Sequence, residues 1–364
     1  MISQKAGDAG AVFSSTAFDR HEEVIFCTDA GSGLRAIIAI HDTNLGPALG
    51  GCRMWPYETE NDAITDVHRL SRAMSSKNAL ARLSTGGGKS VIIGDPDRDK
   101  SEALFHAFGR SVENFGGRYI VAEDVGTAVE DMTQIRSRTS HVMGFSAREG
   151  SSGDPSPVTA YGVFCGLKVA VEFRFGRAEL SGLRVAVQGI GHVGYQLCKY
   201  LHEAGAKLLV SDIHGAAVAR AEADFGACAV AGDDIYSQDV DVFAPCALGA
   251  ELNSRTIPQL RAQVVAGAAN NQLECAEDGA KLAARNILYA PDYVVNAGGV
   301  INLSYERESG YERDKAMAHT ARIYEIVLDI FGRAEREGRP TSEIADDMAQ
   351  ELLGASGQAV DELT

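Results

Sequence analysis

Apolar and polar positions in this chain follow two periods, one suited to strands and one to helices. The clearest passage lies just past the midpoint. Val185, Ala186 and Val187 form an apolar run without helical period that ends at Gly189. After a glycine-rich turn, Val193, Leu197 and Leu201 recur every four residues until Gly205 stops the pattern. A second run, Leu208, Leu209 and Val210, ends in Ser211 and Asp212. The spacing predicts strand, tight turn, helix and strand. Further apolar runs at 240–244, 264–267 and 287–290, separated by helical or turn segments, predict a parallel, doubly wound sheet.

Strands are expected upstream at 24–28, 35–41, 90–93 and 119–122, with helices at 62–76 and 102–114. Thr59 and Asp62 have capping-box spacing ahead of the first helix. Its apolar stripe is Ile64, Val67, Leu70 and Met74, and Lys77 continues that stripe. Residues 148–157 are rich in glycine, serine and proline and read as an interdomain hinge, followed by a helix over 159–173. A long helix carries Ile323, Val327 and Phe331; Gly338 and Pro340 break it before a last helix with Ile344, Met348 and Leu352. The expected fold is α/β. An N-terminal α/β domain (1–147) is followed by a Rossmann-type, doubly wound nucleotide-binding domain (148–335). A helical tail (336–364) is expected to pack back on the first domain.

Composition narrows the functions. A formal charge of −16 argues against a nucleic-acid footprint in the 364-residue chain. No apolar run reaches membrane-spanning length, and the N-terminus lacks a basic region followed by an apolar core. Seven cysteines stand singly, with no Cys-x-x-Cys, as expected of reduced thiols in a cytoplasmic protein. The nine histidines show no metal-ligand spacing, no metal is expected, and no nucleophile elbow appears.

Gly189, Gly191 and Gly194 fit the dinucleotide fingerprint: the first permits the turn, the second lets a pyrophosphate approach, and the third lets helix and strand pack closely. Asp212 then suits a ribose 2′-hydroxyl and would repel a 2′-phosphate, which favours NAD over NADP. In the first domain, Lys77 either meets an anion or snorkels from its helix end. Gly86, Gly87, Gly88 and Lys89 superficially match a P-loop, but Leu83 stands where its first glycine should be, and a strand follows. The glycines either cradle a small ligand or form a plain turn. Glu123 and Asp124 close a predicted strand, either facing a ligand or solvated in a loop. A carboxylate substrate on Lys77, near Lys89 and Asp124, would face a nicotinamide. Two ammonium groups placed together would lower one pKa and make Lys89 a base or acid.

Longer motifs carry a family resemblance: 46–51, 77–79, 86–89, 122–127, 156–161, 244–248, 268–273 and 289–302. They resemble the amino-acid dehydrogenases acting on glutamate, leucine, phenylalanine and valine, over about residues 20–350. The likeness is greatest to the members acting on leucine, then to those acting on valine. It implies a substrate domain first, a nucleotide domain second, and an active site in the cleft. It also implies that Lys77 holds the α-carboxylate, that Lys89 is the base acting through a water, and that Asp124 moves a proton at the substrate nitrogen. Leu49, Gly50, Ala122, Asn271, Val300 and Leu303 would bind substrate. Cofactor contacts would fall on Thr159, Gly189, Ile190, Gly191, His192, Val193, Gly194, Tyr195, Asp212, Cys246, Ala247 and Asn270. The implied reaction is NAD-dependent oxidative deamination of an amino acid to a 2-oxo acid and ammonium, by a homo-oligomer. Leu49 stands where the glutamate-specific members resemble a lysine, so a branched aliphatic substrate is expected, with an aromatic one as the alternative. A non-catalytic NAD-binding regulator on this scaffold would have lost a lysine or the aspartate, and Lys77, Lys89 and Asp124 are all present. A 2-hydroxy-acid dehydrogenase would need a histidine–carboxylate pair, for which the sequence offers no candidate.

Overall fold

The computed structural model describes residues 12–15, 17–145, 152–307 and 311–361. The chain divides into two compact units, residues 1–153 with 349–364, and residues 154–348. The expected domain boundary at 147/148 and the first part of the expected hinge lie outside the described residues.

The first unit is a mixed sheet with helices on both faces. Its elements are β1 (Glu23–Asp29), β2 (Leu34–Asp42), β3 (Ala48–Trp55), α1 (Glu60–Leu80), β4 (Gly86–Ile93), α2 (Glu102–Glu113), β5 (Tyr119–Glu123) and α3 (Val129–Arg136). The sheet order is β1-β2-β4-β3-β5. β1 and β2 pair antiparallel, as do β2 and β4, whereas β3 runs parallel to both β4 and β5. Side chains alternate across this sheet as the strand period requires. Ile38, Ile40, Cys52, Met54, Tyr119 and Val121 are buried with Leu104, Phe105, Phe108 and Val112 of α2. Ile37, Ala39 and Val91 pack instead on Ile64 and Val67 of α1. The Thr59–Asp62 capping box forms: the Thr59 hydroxyl accepts the Asp62 N–H, and the Asp62 carboxylate accepts the Thr59 N–H.

Two expectations change here. Gly86, Gly87 and Gly88 lie within β4 and not in a turn ahead of it. The cause is crowding on every side: a β-carbon on Gly86 would collide with the Asp42 carbonyl, one on Gly87 with the Ser75 backbone, and one on Gly88 with the Tyr119 ring. The same closeness changes the buried stripe of α1. At its C-terminal end that stripe is Ser71, Ser75 and Asn78, with Leu70, Met74 and Lys77 half-buried on its flank. Small polar residues fit where the helix meets bare backbone, and the Asn78 side-chain amide donates to the Gly86 carbonyl at 2.7 Å.

The second unit opens with α4 (Ser156–Phe175) and continues with β6 (Arg184–Gln188), α5 (His192–Glu203), β7 (Lys207–Ser211), α6 (Gly215–Phe225), β8 (Cys228–Ala229), β9 (Val242–Pro245), β10 (Val264–Val265), α7 (Glu277–Ala284) and β11 (Leu288–Tyr289). The order β11-β10-β9-β6-β7-β8, parallel throughout, is that of a doubly wound dinucleotide-binding sheet. Its topological switch point lies between β6 and β9. Short helices α8 (Asp292–Val295) and α9 (Gly298–Ser304) lead to α10 (Arg313–Ala321), α11 (Ile323–Glu337) and α12 (Thr341–Asp361). No described helix is long and apolar enough to cross a membrane.

Candidate active site

The α1-facing side of the first sheet carries a charged pair over bare backbone. In β3 and β4 the register sets Leu49 opposite Gly87 and Cys52 opposite Ser90, while Gly51 lies opposite Ala122 of β5. Lys89 therefore extends over Gly51 toward the end of β5. Its Nζ lies 2.9 Å from Asp124 Oδ2, and the lysine side chain is 6 % exposed. The partner of Lys89 is thus the Asp124 carboxylate. Burial pushes the Asp124 carboxyl up, but the cations of Lys89 and Arg53 outweigh it and hold the group below its ordinary range. Thr127 fixes the turn beneath: its hydroxyl accepts the Asp124 N–H at 3.0 Å and lies 2.8 Å from the Cys52 carbonyl.

Sequence reading missed the second cation. Arg53, two residues beyond Gly51 on the same face, donates from Nε to Asp124 Oδ2 at 3.0 Å and from Nη1 to Asp66 Oδ2 at 2.9 Å. The Tyr57 hydroxyl donates to that Asp66 oxygen at 2.6 Å. Arg53, Tyr57 and Asp66 line an open cavity of about 450 Å³ together with Trp55, Arg69 and Val125. Asp66 and Lys77 stand 11 residues apart, three helical turns, so Lys77 lies on the flank of α1 that meets Arg53. Leu49, 1 % exposed, and Ala122, 3 % exposed, supply apolar surface beside the pair. Gly50 faces the other way, where a β-carbon would collide with the Gly88 carbonyl.

In the second unit the turn after β6 meets the loop after β9. Gly189 has φ +91°, and a β-carbon on it would stand 2.7 Å from the Ala247 nitrogen. One on Gly194 would collide with the Gly189 carbonyl, so only glycine lets α5 pack this closely. Around Gly191 no protein atom lies within 4 Å of where a β-carbon would be. That open approach, at the uncapped N-terminus of α5, fits a pyrophosphate. His192 is exposed and Val193 half-buried at this start, and Ile190 is buried. Asp212 closes β7. Its Oδ2 accepts the Ile190 N–H at 2.6 Å and its Oδ1 the His214 N–H at 2.8 Å, which fixes the carboxylate beside the turn. Tyr195 is oriented otherwise: its hydroxyl donates to Asp224 of α6 at 2.5 Å, and Arg220 stacks on its ring. Ile213 and Leu248, 94 % and 76 % exposed, follow Asp212 and Ala247 and offer apolar surface to a flat base. Sequence reading passed over both, although each follows a strand-end motif directly.

The rest of the half is fixed by local bonds. The Asn271 carbonyl accepts the Ala250 N–H at 2.7 Å, and Asn271 sits at φ +51°, a conformation asparagine tolerates. Asn270 Oδ1 accepts from the Asn296 amide at 2.8 Å, and the Cys246 sulfur lies 3.5 Å from the Ala268 nitrogen. Thr159 sits in the first turn of α4, where a β-carbon on Gly299 would come within 2.8 Å of its hydroxyl. Val300 is buried and Leu303 half-buried along α9. Among the described residues no group of three or more His, Cys, Asp or Glu side chains could hold a metal ion.

A doubly wound sheet with a dinucleotide turn, and a separate sheet presenting a buried lysine paired with an aspartate, together define a nucleotide-dependent dehydrogenase. The comparisons agree. The chain matches the family models described as Glu/Leu/Phe/Val dehydrogenase, dimerisation domain, over residues 21–141, and as Glutamate/Leucine/Phenylalanine/Valine dehydrogenase, over residues 150–229 and 217–332. It is 55 % identical over 333 residues to leucine dehydrogenase of Bacillus subtilis (strain 168), covering 92 % of this chain and 91 % of that one. It is 47 % identical over 337 residues to L-tryptophan dehydrogenase of Nostoc punctiforme (strain ATCC 29133 / PCC 73102), covering 92 % and 94 %. The crystal structure of L-tryptophan dehydrogenase from Nostoc punctiforme superposes with a TM-score of 0.82 at 44 % identity, over 93 % and 97 % of the two chains. The chain belongs to the glutamate/leucine/phenylalanine/valine dehydrogenase family, and it is an amino-acid dehydrogenase.

Proposed function

We propose that the chain catalyses reversible oxidative deamination of a branched-chain aliphatic L-amino acid. Amino acid, NAD⁺ and water give the 2-oxo acid, ammonium, NADH and a proton. Bound NAD⁺ would accept hydride from the α-carbon. The rest falls to side chains. Lys77 holds the α-carboxylate, Lys89 takes a proton from the attacking water, and Asp124 carries protons at the substrate nitrogen. Asn271 helps hold the substrate, Thr159 contacts the nicotinamide amide, and the turn from Gly189 to Gly194 with Asp212 holds the dinucleotide. The observation that carries this reading is the Lys89–Asp124 pair, 2.9 Å apart, a buried lysine and a partly exposed carboxylate standing over glycine. A base and an acid in hydrogen-bond reach suit both the hydration and the nitrogen proton transfers.

Leu49, Ala122, Val300 and Leu303 favour an aliphatic side chain, and the leucine dehydrogenase relatives support the same choice. The distal carboxylate of glutamate would meet Leu49 instead of a charge partner. The similarity to L-tryptophan dehydrogenase favours an aromatic substrate as the second reading. Self-association is supported by the dimerisation description of the model matched by residues 21–141. A cytoplasmic location is supported by seven cysteines that are all unpaired.

An NADH-absorbance screen of the amino acids at alkaline pH, with NAD⁺ and NADP⁺, tests the proposal. Leucine, valine and isoleucine are expected to turn over fastest, and with NAD⁺. Fastest turnover of phenylalanine or tryptophan would establish the second reading. Fastest turnover of glutamate, or turnover of 2-hydroxy acids alone, would overturn both.

A further inference from the structure

The Lys89–Asp124 pair is held from behind by a third charged layer. Asp124 Oδ2 receives Lys89 Nζ at 2.9 Å and Arg53 Nε at 3.0 Å. The same guanidinium reaches back from Nη1 to Asp66 at 2.9 Å, and Asp66 is also bound by the Tyr57 hydroxyl. Arg53 and Asp66 are 23 % and 27 % exposed and border the open cavity, whereas Lys89 is 6 % exposed. We propose that Arg53 is the positioning residue of the active site. It ties one oxygen of Asp124 to the helix that carries Lys77, and leaves Oδ1 to exchange protons with substrate.

Three structural facts support this. Both cations take Oδ2, and Oδ1 has no hydrogen bond among the described residues. A planar fork holds Asp124 and Asp66 in fixed directions at once, whereas a lysine in its place presents a point charge. Finally, Asp66 and Lys77 stand on one flank of α1, so the fork sets the sheet-borne pair against the helix-borne lysine. The charged or titratable groups around Asp124 are Arg53 and Cys52 of β3, Lys89 of β4, Tyr119 of β5, Asp66 of α1, Tyr57 and the adjoining Glu123. Of these only Lys89 and Arg53 touch it with positive charge. Removing Arg53 therefore leaves Asp124 nearer its ordinary range and less firmly oriented.

The inference rests on Asp124 being the proton carrier proposed above, and Asp124→Asn separates the two ideas. If that variant keeps wild-type kcat, the assignment of Asp124 itself fails. With Asp124→Asn impaired, Arg53→Gln is expected to lose about 100-fold in kcat with little change in the amino-acid KM. The acidic limb of its pH–rate profile should move up by about one pH unit. Arg53→Lys keeps the charge but loses the fork, so its limb should stay in place while kcat falls less. Asp66→Asn, which frees the far end of the fork, should lower kcat without raising the limb. A limb unmoved in Arg53→Gln overturns the proposal, because a merely structural arginine would lower kcat alone. Should Arg53→Gln fail to fold, wild-type kcat in both Arg53→Lys and Asp66→Asn overturns it equally.

Discussion

Gly51 lies directly beneath the Lys89 ammonium. A β-carbon there would stand 3.2 Å from Lys89 Nζ, 2.8 Å from Asp124 Cβ and 2.7 Å from the Glu123 carbonyl. The reach of the β4 lysine across β3 to the aspartate just past β5 thus depends on a residue without a side chain. Gly51→Ala should separate the pair and lower kcat/KM about 100-fold, since a small displacement of catalytic groups is that costly. Dinucleotide affinity, measured by NADH fluorescence, should survive, because the nucleotide turn lies in the other unit. A Gly51→Ala enzyme at wild-type turnover would show that the pair tolerates a wider spacing.

Lys89→Ala should abolish NADH formation from leucine while NAD⁺ still binds. The loss expected from removing a general base is about 10²–10⁴-fold in kcat. Steady-state absorbance and a separate dinucleotide titration check the two halves of this expectation. Unchanged turnover would remove Lys89 from the chemistry.

Asp212 has a double task, since its carboxylate also holds the Ile190 N–H at 2.6 Å. Asp212→Ala should therefore raise the KM for NAD⁺ and narrow the preference for NAD⁺ over NADP⁺ by about tenfold or more. The ratio of kcat/KM values for the two dinucleotides measures it. An unchanged ratio would confine Asp212 to bracing the turn.

Away from the chemistry, His21, His41 and His68 meet under α1, with ring centroids 4.9 Å (His21–His41) and 4.6 Å (His21–His68) apart. Burial, assisted for His21 and His68 by a neighbouring imidazole, pushes each down to about 4 from an ordinary 6.5. Below about 6.5 the unfolded chain takes up protons that the folded one refuses, so stability should fall as pH drops toward about 4. The cost is on the order of 2 kcal/mol per ring. Among the described residues neither ring nitrogen of His68 has a hydrogen bond, so His68→Leu leaves no described partner unpaired. That variant should lose less stability than the wild type between pH 7 and pH 5 in urea unfolding. An equal loss would place the acid sensitivity elsewhere.

The parts legible in the sequence are those governed by local rules. The strand–turn–helix after Leu183 announces itself through an apolar run, three glycines and a four-residue repeat, and it forms as β6, α5 and β7. The Thr59–Asp62 box forms for the same reason, its partners being three residues apart. What sequence reading could not supply depends on distant neighbours. β3, Ala48–Trp55, has two glycines at its centre and lacks the usual strand composition, because β4 and β5 crowd it from both sides. Arg53 finds Asp66 13 residues away and Asp124 71 residues away, and its only local sign was the two-residue period shared with Leu49 and Gly51. In α12 the expected face of Ile344, Met348 and Leu352 shifts by one position at its end, where Ala349 and Leu353 are buried instead. Residues facing a core from a terminal helix are chosen by the surface they meet.

The glycine platform of the first sheet carries a consequence for how such an enzyme can diversify. Positions 50, 51, 86, 87 and 88 each face an obstacle where a side chain would begin, so the platform cannot be altered one residue at a time. Leu49 and Ala122 at its border have side chains that can be exchanged without disturbing the main chain. Selection or design for a new amino acid is therefore channelled to those edges, while the reactive pair is inherited unchanged.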